Sequence, residues 1–366
     1  MFIYCLIFIL LAIIAVEYEF KKVKNIDFIL AVIGIFLILF AGFRGIYVSR
    51  DYLPYLNSFN YILHDDGSQR ATLLPLFEPG FVFIVKICYH FFADNAPLAI
   101  MLLIAALSIS LKFFVFRELA FNPLIVLLLY YSHYFLFQEM TQVRNGLACS
   151  FFFLAIYYYL KHEKIKVFIS IVLAILFHNS AIFYFLLFFI RKDKLNAWLY
   201  GSVFLGAIIL GLIKLPLLSF ILPRIDIAFI STKLTTYAET ADSSLYQGIR
   251  FFNVLNTINV IITAYIFFYC VKNKMKDANL LLFLKCNIIS IFVYGLLIDV
   301  PSMAARVTEL FNAVFPLLFA YSLKMPPFKK WNIVFLIGIA SIYFYINLFY
   351  GKLLNPYELI KLSSLK

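Results

Sequence analysis

Charge is scarce in this chain. Only 14% of its residues are charged, while 64% are hydrophobic and 19% aromatic. Soluble domains run at roughly 45–50% apolar, so a packed water-soluble core is excluded and a polytopic membrane protein is expected. Short alternating strands are lacking too, which excludes a barrel and leaves helices as the spanning elements. No pair of cysteines has metal-ligand spacing: Cys5, Cys88, Cys149, Cys270 and Cys286 lie in or beside apolar runs and read as small hydrophobes. The chain has no GxxxxGK[ST], no HExxH and no GxSxG, and no DxD in a plausible cytoplasmic loop. A nucleotide or metal-dependent nucleotide-sugar site therefore has no support, and no cofactor or metal is expected. The first apolar run has no basic region before it and no small-x-small site after it, so it reads as a span.

The charge that is present is mostly positive, +12 net. Its lysines cluster between apolar runs, which marks cytoplasmic loops and not a nucleic-acid surface. The runs are Phe2–Val16, Ile26–Phe43, Phe81–Phe92, Leu98–Phe116, Leu124–Phe137, Ala148–Leu160, Phe168–Ile190, Trp198–Ile213, Phe251–Val271, Leu280–Ile298, Leu310–Leu323 and Ile333–Phe349. The expected fold is all-α, a single transmembrane domain over 1–366 with about 10–12 membrane helices, some short or re-entrant. Two polar segments are expected on the outer side, 44–80 and 224–250, the second holding Arg224 and Asp226 as a pair. In the first, Tyr52, Tyr55 and Phe59 would form one aromatic face of a short interfacial helix. Phe81–Phe92 is short for a span, so it is expected to dip in and return or to lie along the interface. Phe168–Ile190 has basic clusters at both ends, which predicts two short helices meeting at His178.

The densest polar run between apolar segments is Gln138 to Ala148. It holds Glu139, Gln142, Arg144 and Asn145. A charge that close to hydrocarbon is costly unless it is paired or reaches water or a headgroup. A guanidinium offers a rigid fork suited to phosphate or carboxylate. Arg144 is thus the first candidate for binding an anionic substrate, against the bland alternative of a helix-end anchor. Arg44, Arg50 and Arg306 fall with it on the expected extracytoplasmic side, where positive-inside statistics disfavour arginine. Asp51, between Arg50 and Tyr52, is an acid-base candidate or a solvated carboxylate. His178, at a polar break, is a candidate base or a packing residue. Glu139 is the alternative base.

At these residues the chain resembles the EpsG-like, Wzy-type polysaccharide polymerases. The resemblance covers roughly Ala41 to Phe319. It rests on Phe43-Arg44 with Ser49-Arg50-Asp51-Tyr52, Tyr55 and Phe59, and on Glu78-Pro79-Gly80-Phe81. It rests further on Val143-Arg144-Asn145-Gly146-Leu147-Ala148, on Phe177-His178-Asn179-Ser180-Ala181, and on Arg306 near a late apolar run. Two departures are visible: Ser49 stands where the family usually has glycine, and Asn145 where it usually has glutamine.

The resemblance implies a glycosyltransferase that joins undecaprenyl-diphosphate-linked oligosaccharide repeat units at the outer face of a bacterial inner membrane. Arg144, Arg44, Arg306 and Arg50 would hold the diphosphate. Gln142, Asn145 and Tyr52 would orient the substrate, and outer tyrosines would stack on sugars. His178, Asp51 or Glu139 would act on protons. A chain-length regulator and a flippase of the same pathway are the implied partners. The rivals are a lipid-linked oligosaccharide flippase, an O-antigen ligase-like glycosyltransferase, and a structural role.

Overall fold

The computed structural model describes residues 1–21, 25–64, 77–216, 250–325 and 332–360. The second expected outer segment, 224–250, lies outside these but for Arg250, and the Arg224–Asp226 pair with it. The described chain is all helix and loop, with two isolated β-bridges. Among the described residues five helices are long and apolar enough to cross a membrane, or six if one bent pair counts as a span. Ile26–Gly42, Asn179–Phe189 and Ala197–Ile213 are shorter apolar helices. Phe28, Ile35, Phe83 and Phe189 stand exposed on their helices, as side chains facing lipid do.

The helices fall into two compact units, Met1–Tyr184 with Ala320–Lys366, and Phe185–Phe319. The first opens with α1 (Phe2–Lys21) and α2 (Ile26–Gly42), followed by α3 (Tyr52–His64), α4 (Pro79–Phe92) and α5 (Ala96–Leu119). Next come α6 (Pro123–Leu129), a π-helical stretch Tyr130–Glu139, α7 (Val143–Leu160) and α8 (Lys164–Ile175). Asn122 starts α6 by accepting from the Ile125 amide at 3.1 Å, with Pro123 in the first turn where its missing N–H costs nothing. Every residue from Asn122 to Leu136 is buried, so this segment is the unit's central strut.

Contacts define two ends of the first unit. At one end Glu19 meets Asn122 and Asp27 meets Arg117. At the other the C-terminal tail lies back along the Phe43–Ser49 loop. Gly45 donates to the Glu358 carbonyl, Asn355 to Val48 and Ile360 to Phe43. Tyr4, near the start of α1, donates to the Asn355 carbonyl at this same end. Arg50 donates to the Lys352 carbonyl there, and Arg44 touches Met101, near the start of α5.

The chain doubles back at Ala93–Asn95. Phe81 packs against Tyr55, one turn from Tyr52, which lies beneath Arg44, which in turn meets Met101. A straight helix from Phe81 to Met101 would separate them by about 30 Å at 1.5 Å per residue, which that short chain of contacts does not allow. Ala93, at φ 45°, makes the bend. The helix break expected at His178 is also present: α8 ends at Ile175 and a 3-10 helix starts at Asn179.

In the second unit, Ala197–Ile213, Val254–Lys272, Ala278–Leu296 and Pro301–Asn312 are the main helices. Asn287 donates to Asn259 at 2.8 Å and to Thr263 at 2.7 Å, and Asn259 donates to Asn312 at 3.1 Å. Such amide bonds hold helices together where lipid gives no hydrophobic drive.

Candidate functional site

Two distant stretches of sequence meet on the carboxylate of Glu78. Being before a proline, Glu78 is extended (φ −69°, ψ 140°), as a pre-proline residue must be. Its side chain does not cap α4. One oxygen accepts from Arg144 at 2.6 Å, from the first turn of α7. The other accepts from the Asn179 amide at 3.5 Å and lies 3.9 Å from His178 Nδ1. Glu78 is almost fully buried, at 3% side-chain exposure, whereas Arg144 keeps 29% and His178 14%. The charge is thus matched inside while the guanidinium retains an open side.

The turn that carries His178 is brought in by Gly80. Its N–H donates to the Leu176 carbonyl at 2.8 Å. A Cβ at this position would stand 2.8 Å from that same oxygen and 3.0 Å from Leu176 Cβ. Only glycine lets the backbones approach this closely. Gly146 serves a similar purpose for α7, since a Cβ there would lie 3.1 Å from Gln138 Cβ.

Aromatic rings support both arginines. The Arg144 guanidinium lies 5.1 Å from the centre of the Phe81 ring and 5.8 Å from that of Tyr55, within cation–π range. Tyr52, Tyr55 and Phe59 do share one face of α3, as the spacing predicts. That face points into the core with Phe81, Val85, Ile100 and Met101, so neither Tyr52 nor Tyr55 is open to stack on a sugar. Burial pushes the Tyr52 phenol up to about 12, with Arg44 pulling it partly back. It raises Tyr55 likewise, against the pull of Arg144. Tyr47, 70% exposed, remains open.

Arg44 is fully buried. It donates to the Ala41 carbonyl at 2.5 Å and lies 5.2 Å from the Tyr52 ring centre. Its Nε, the Tyr52 hydroxyl and the Ser49 hydroxyl are buried without hydrogen-bond partners among the described residues. Desolvation lowers the Arg44 pKa. Ser49 bridges antiparallel to Leu354, so the residue that departs from the family pattern lies in the tail-bound loop. Arg50 is exposed, and the Asp51 carbonyl accepts the Tyr55 amide in the first turn of α3.

Gln142 and Asn145 bond to one another, Asn145 Nδ2 to Gln142 Oε1 at 3.3 Å. Glu139 sits deeper. It is ion-paired with Lys112 of α5, and both side chains are at most 1% exposed. It also accepts from the Tyr130 hydroxyl at 2.9 Å. Lys112 further donates to Ser108 and to the Gly146 carbonyl at 3.0 Å. Arg306 lies in the second unit, in the helix Pro301–Asn312. Arg144, Glu78 and His178 therefore form one cluster, with Arg44, Arg50, Asp51 and Tyr52 at the same end of the first unit.

Sequence reasoning missed Glu78 and Lys112. Glu78 was legible as part of the Glu78-Pro79-Gly80-Phe81 motif and as the residue before a helix-starting proline, but no role in the site was assigned to it. A lysine inside the otherwise apolar run Leu98–Phe116 was a signal for Lys112, because such a charge demands a partner. Among the described residues no group of His, Cys, Asp and Glu is arranged to hold a metal.

Comparison with known proteins bears on this cluster. The chain is 26% identical over 359 residues to the amylovoran biosynthesis protein AmsC of Erwinia amylovora, covering 91% of this chain and 88% of that protein. No solved structure matches significantly. The model of the EpsG family matches residues 27–359, a range that takes in the Arg44, Glu78, Arg144 and His178 segments together, and the chain belongs to that family.

Proposed function

We propose that this protein is a membrane glycosyltransferase of the polymerase kind. It would join oligosaccharide repeat units carried on undecaprenyl diphosphate at the outer face of a bacterial inner membrane. Family membership and similarity to a protein named for amylovoran biosynthesis support the class of product. The observation that carries the reading is the meeting of Arg144, Glu78 and His178 at one end of a helical unit. An anion-binding fork and a titratable imidazole then share one buried carboxylate.

The chemistry would run as follows. The acceptor sugar oxygen attacks the anomeric carbon of the growing chain, and the bond from that carbon to the diphosphate breaks. Arg144 binds the diphosphate and stabilises its departure, which needs no metal. Arg50 adds charge from the surface. Asp51 orders the loop beside them. The Gln142–Asn145 amide pair shapes the start of α7, and Tyr52 holds Arg44 in place. His178 accepts the acceptor's proton, a role that Glu139 is poorly placed to take because Lys112 occupies it. A flippase and a chain-length regulator would be partners in the pathway.

The test is chain elongation by purified protein supplied with lipid-linked repeat units. A charge-assisted bond to phosphate contributes roughly 1.5–3 kcal/mol, about one to two decades in rate. Arg144→Ala should lose that much, and Arg144→Lys should keep part of it because charge remains without the fork. Full activity of the alanine variant would return Arg144 to the role of helix anchor. A deletion strain separates the rivals. Loss of polymer with one-unit-capped lipid A retained supports a polymerase, whereas loss of both points to a flippase or ligase.

A further inference from the structure

Glu78 occupies a position that the proposed chemistry has not yet used. It is a carboxylate at 3% exposure, bound tightly to one cation and loosely faced by a histidine. The two contacts are unequal: 2.6 Å to Arg144 and 3.9 Å to His178 Nδ1, both within reach of one side chain. A structural anchor for α4 would need only the first. The backbone goes to some length to secure the second, because Gly80 admits the Leu176–His178 turn at a distance any Cβ would forbid.

We infer that Glu78 is the positioning residue for His178, held by Arg144 until a diphosphate takes the guanidinium. The inference rests on the polymerase reading for its substrate. At rest, Arg144 and Glu78 neutralise one another, which a site near hydrocarbon requires. Arg144 keeps an open side, so a diphosphate can engage it and compete for its charge. Glu78 then turns its negative charge to His178 and accepts a hydrogen bond from Nδ1–H. That bond fixes the tautomer with Nε2 unprotonated and facing away from Glu78; Nε2 is buried at rest, so it meets the acceptor hydroxyl only when the exchange of partners opens the cluster. In the transfer, the acceptor oxygen forms its bond to the anomeric carbon and its proton passes to Nε2. The electron pair of the broken carbon–oxygen bond leaves with the diphosphate. The imidazolium so formed is stabilised by Glu78, as an orienting carboxylate stabilises a histidine base. Binding of the leaving group and activation of the base are thereby coupled through one side chain.

The coupling can be measured without substrate. The charged and titratable groups around Glu78 include Arg144 from α7 and His178 from the turn after α8, with Tyr55 of α3 beneath Arg144 and Asp51 near Tyr55. Full-length protein with 15N-labelled histidine is titrated by NMR, the His178 signal among five histidines being assigned with His178→Gln. Arg144→Gln should raise the His178 pKa by about one pH unit, because the released carboxylate turns to it. Glu78→Gln should lower it, and the double variant should follow Glu78→Gln. Inorganic diphosphate should raise it more in the wild type than in Glu78→Gln. An unchanged His178 titration across these variants overturns the inference.

Elongation assays add a second arm. Glu78→Gln should lower kcat about a hundredfold with little change in KM, and should move the acid limb of the pH profile downward. It should cost nothing further in a His178→Gln background. Equal loss in both backgrounds, or a lower kcat with an unmoved pH limb, reduces Glu78 to a structural residue. If the wild type shows the coupled titration yet elongates nothing, the polymerase reading fails and the coupling stands.

Discussion

Lys112 and Glu139 give the sharpest test of how this protein tolerates charge in its interior. Both side chains are buried to within 1%. Removing the cation by Lys112→Met leaves the Glu139 carboxylate with the Tyr130 hydroxyl on one oxygen and no partner among the described residues for the other. Breaking a buried pair by deleting one member costs about 3–5 kcal/mol. Against a total stability of roughly 5–15 kcal/mol, that is a large share of the fold. The double change Lys112→Met with Glu139→Gln removes both charges. The introduced amide oxygen can still accept from Tyr130, and the Gly146 carbonyl keeps the Ser150 hydroxyl at 2.9 Å. The double variant should therefore recover at least half of the loss. Equilibrium unfolding of the three proteins in mixed micelles measures this. A double variant as unstable as the single would show that an uncompensated charge is not the cause. The same proteins decide the role of Glu139. Normal elongation by the stable double variant removes it from the proton chemistry, and inactivity at full stability restores it as a base.

Other expectations follow from the same geometry. Gly80→Ala should destabilise the protein by about 1–3 kcal/mol and lower elongation further than its stability explains, because the added methyl displaces the turn bearing His178; unchanged thermal unfolding and activity would refute the close approach. Arg44→Lys should lose the ring contact with Tyr52 and reduce the yield of folded protein, read by size-exclusion chromatography; a variant with normal yield but no elongation would instead make Arg44 a substrate ligand. Asp51→Asn should leave protein level unchanged and reduce polymer, and wild-type glycan ladders at normal expression would remove it from the site.

Much of the fold was legible because a membrane imposes few solutions. Long apolar runs between lysine clusters yielded most of the helices, and a run with basic residues at both ends yielded the break at His178. The burial of α3 was legible only in part. A spacing of three and four residues shows which side chains share a face but not what that face meets, and Tyr52, Tyr55 and Phe59 meet the core. The return of the tail onto Phe43–Ser49 had no sequence signal, since it is made by backbone bonds such as Gly45 to Glu358.

The site shows a different limit. The sequence drew attention to arginines because a guanidinium near hydrocarbon is conspicuous, yet the residue that organises them is an acid that looks ordinary. Glu78 precedes a proline at a helix start, where an acid raises no question. Its partners lie 66 and 101 residues away. No local pattern reports a contact over that distance. Charge balance does offer a guide: an arginine at a helix start beside the apolar core favours an acid within reach, although the buried Arg44 is met instead by a carbonyl, Met101 and the Tyr52 ring. That guide narrows the search to the few carboxylates expected on the same side, Glu78 among them. It applies equally to Lys112, whose only acceptable surroundings inside α5 include an anion, and Glu139 supplies it. The two pairs differ in the property that function requires. Lys112–Glu139 is sealed, whereas Arg144–Glu78 has a partly exposed cation, and its carboxylate also faces His178. On the proposed reading, a substrate anion exchanges partners at the second pair and not at the first.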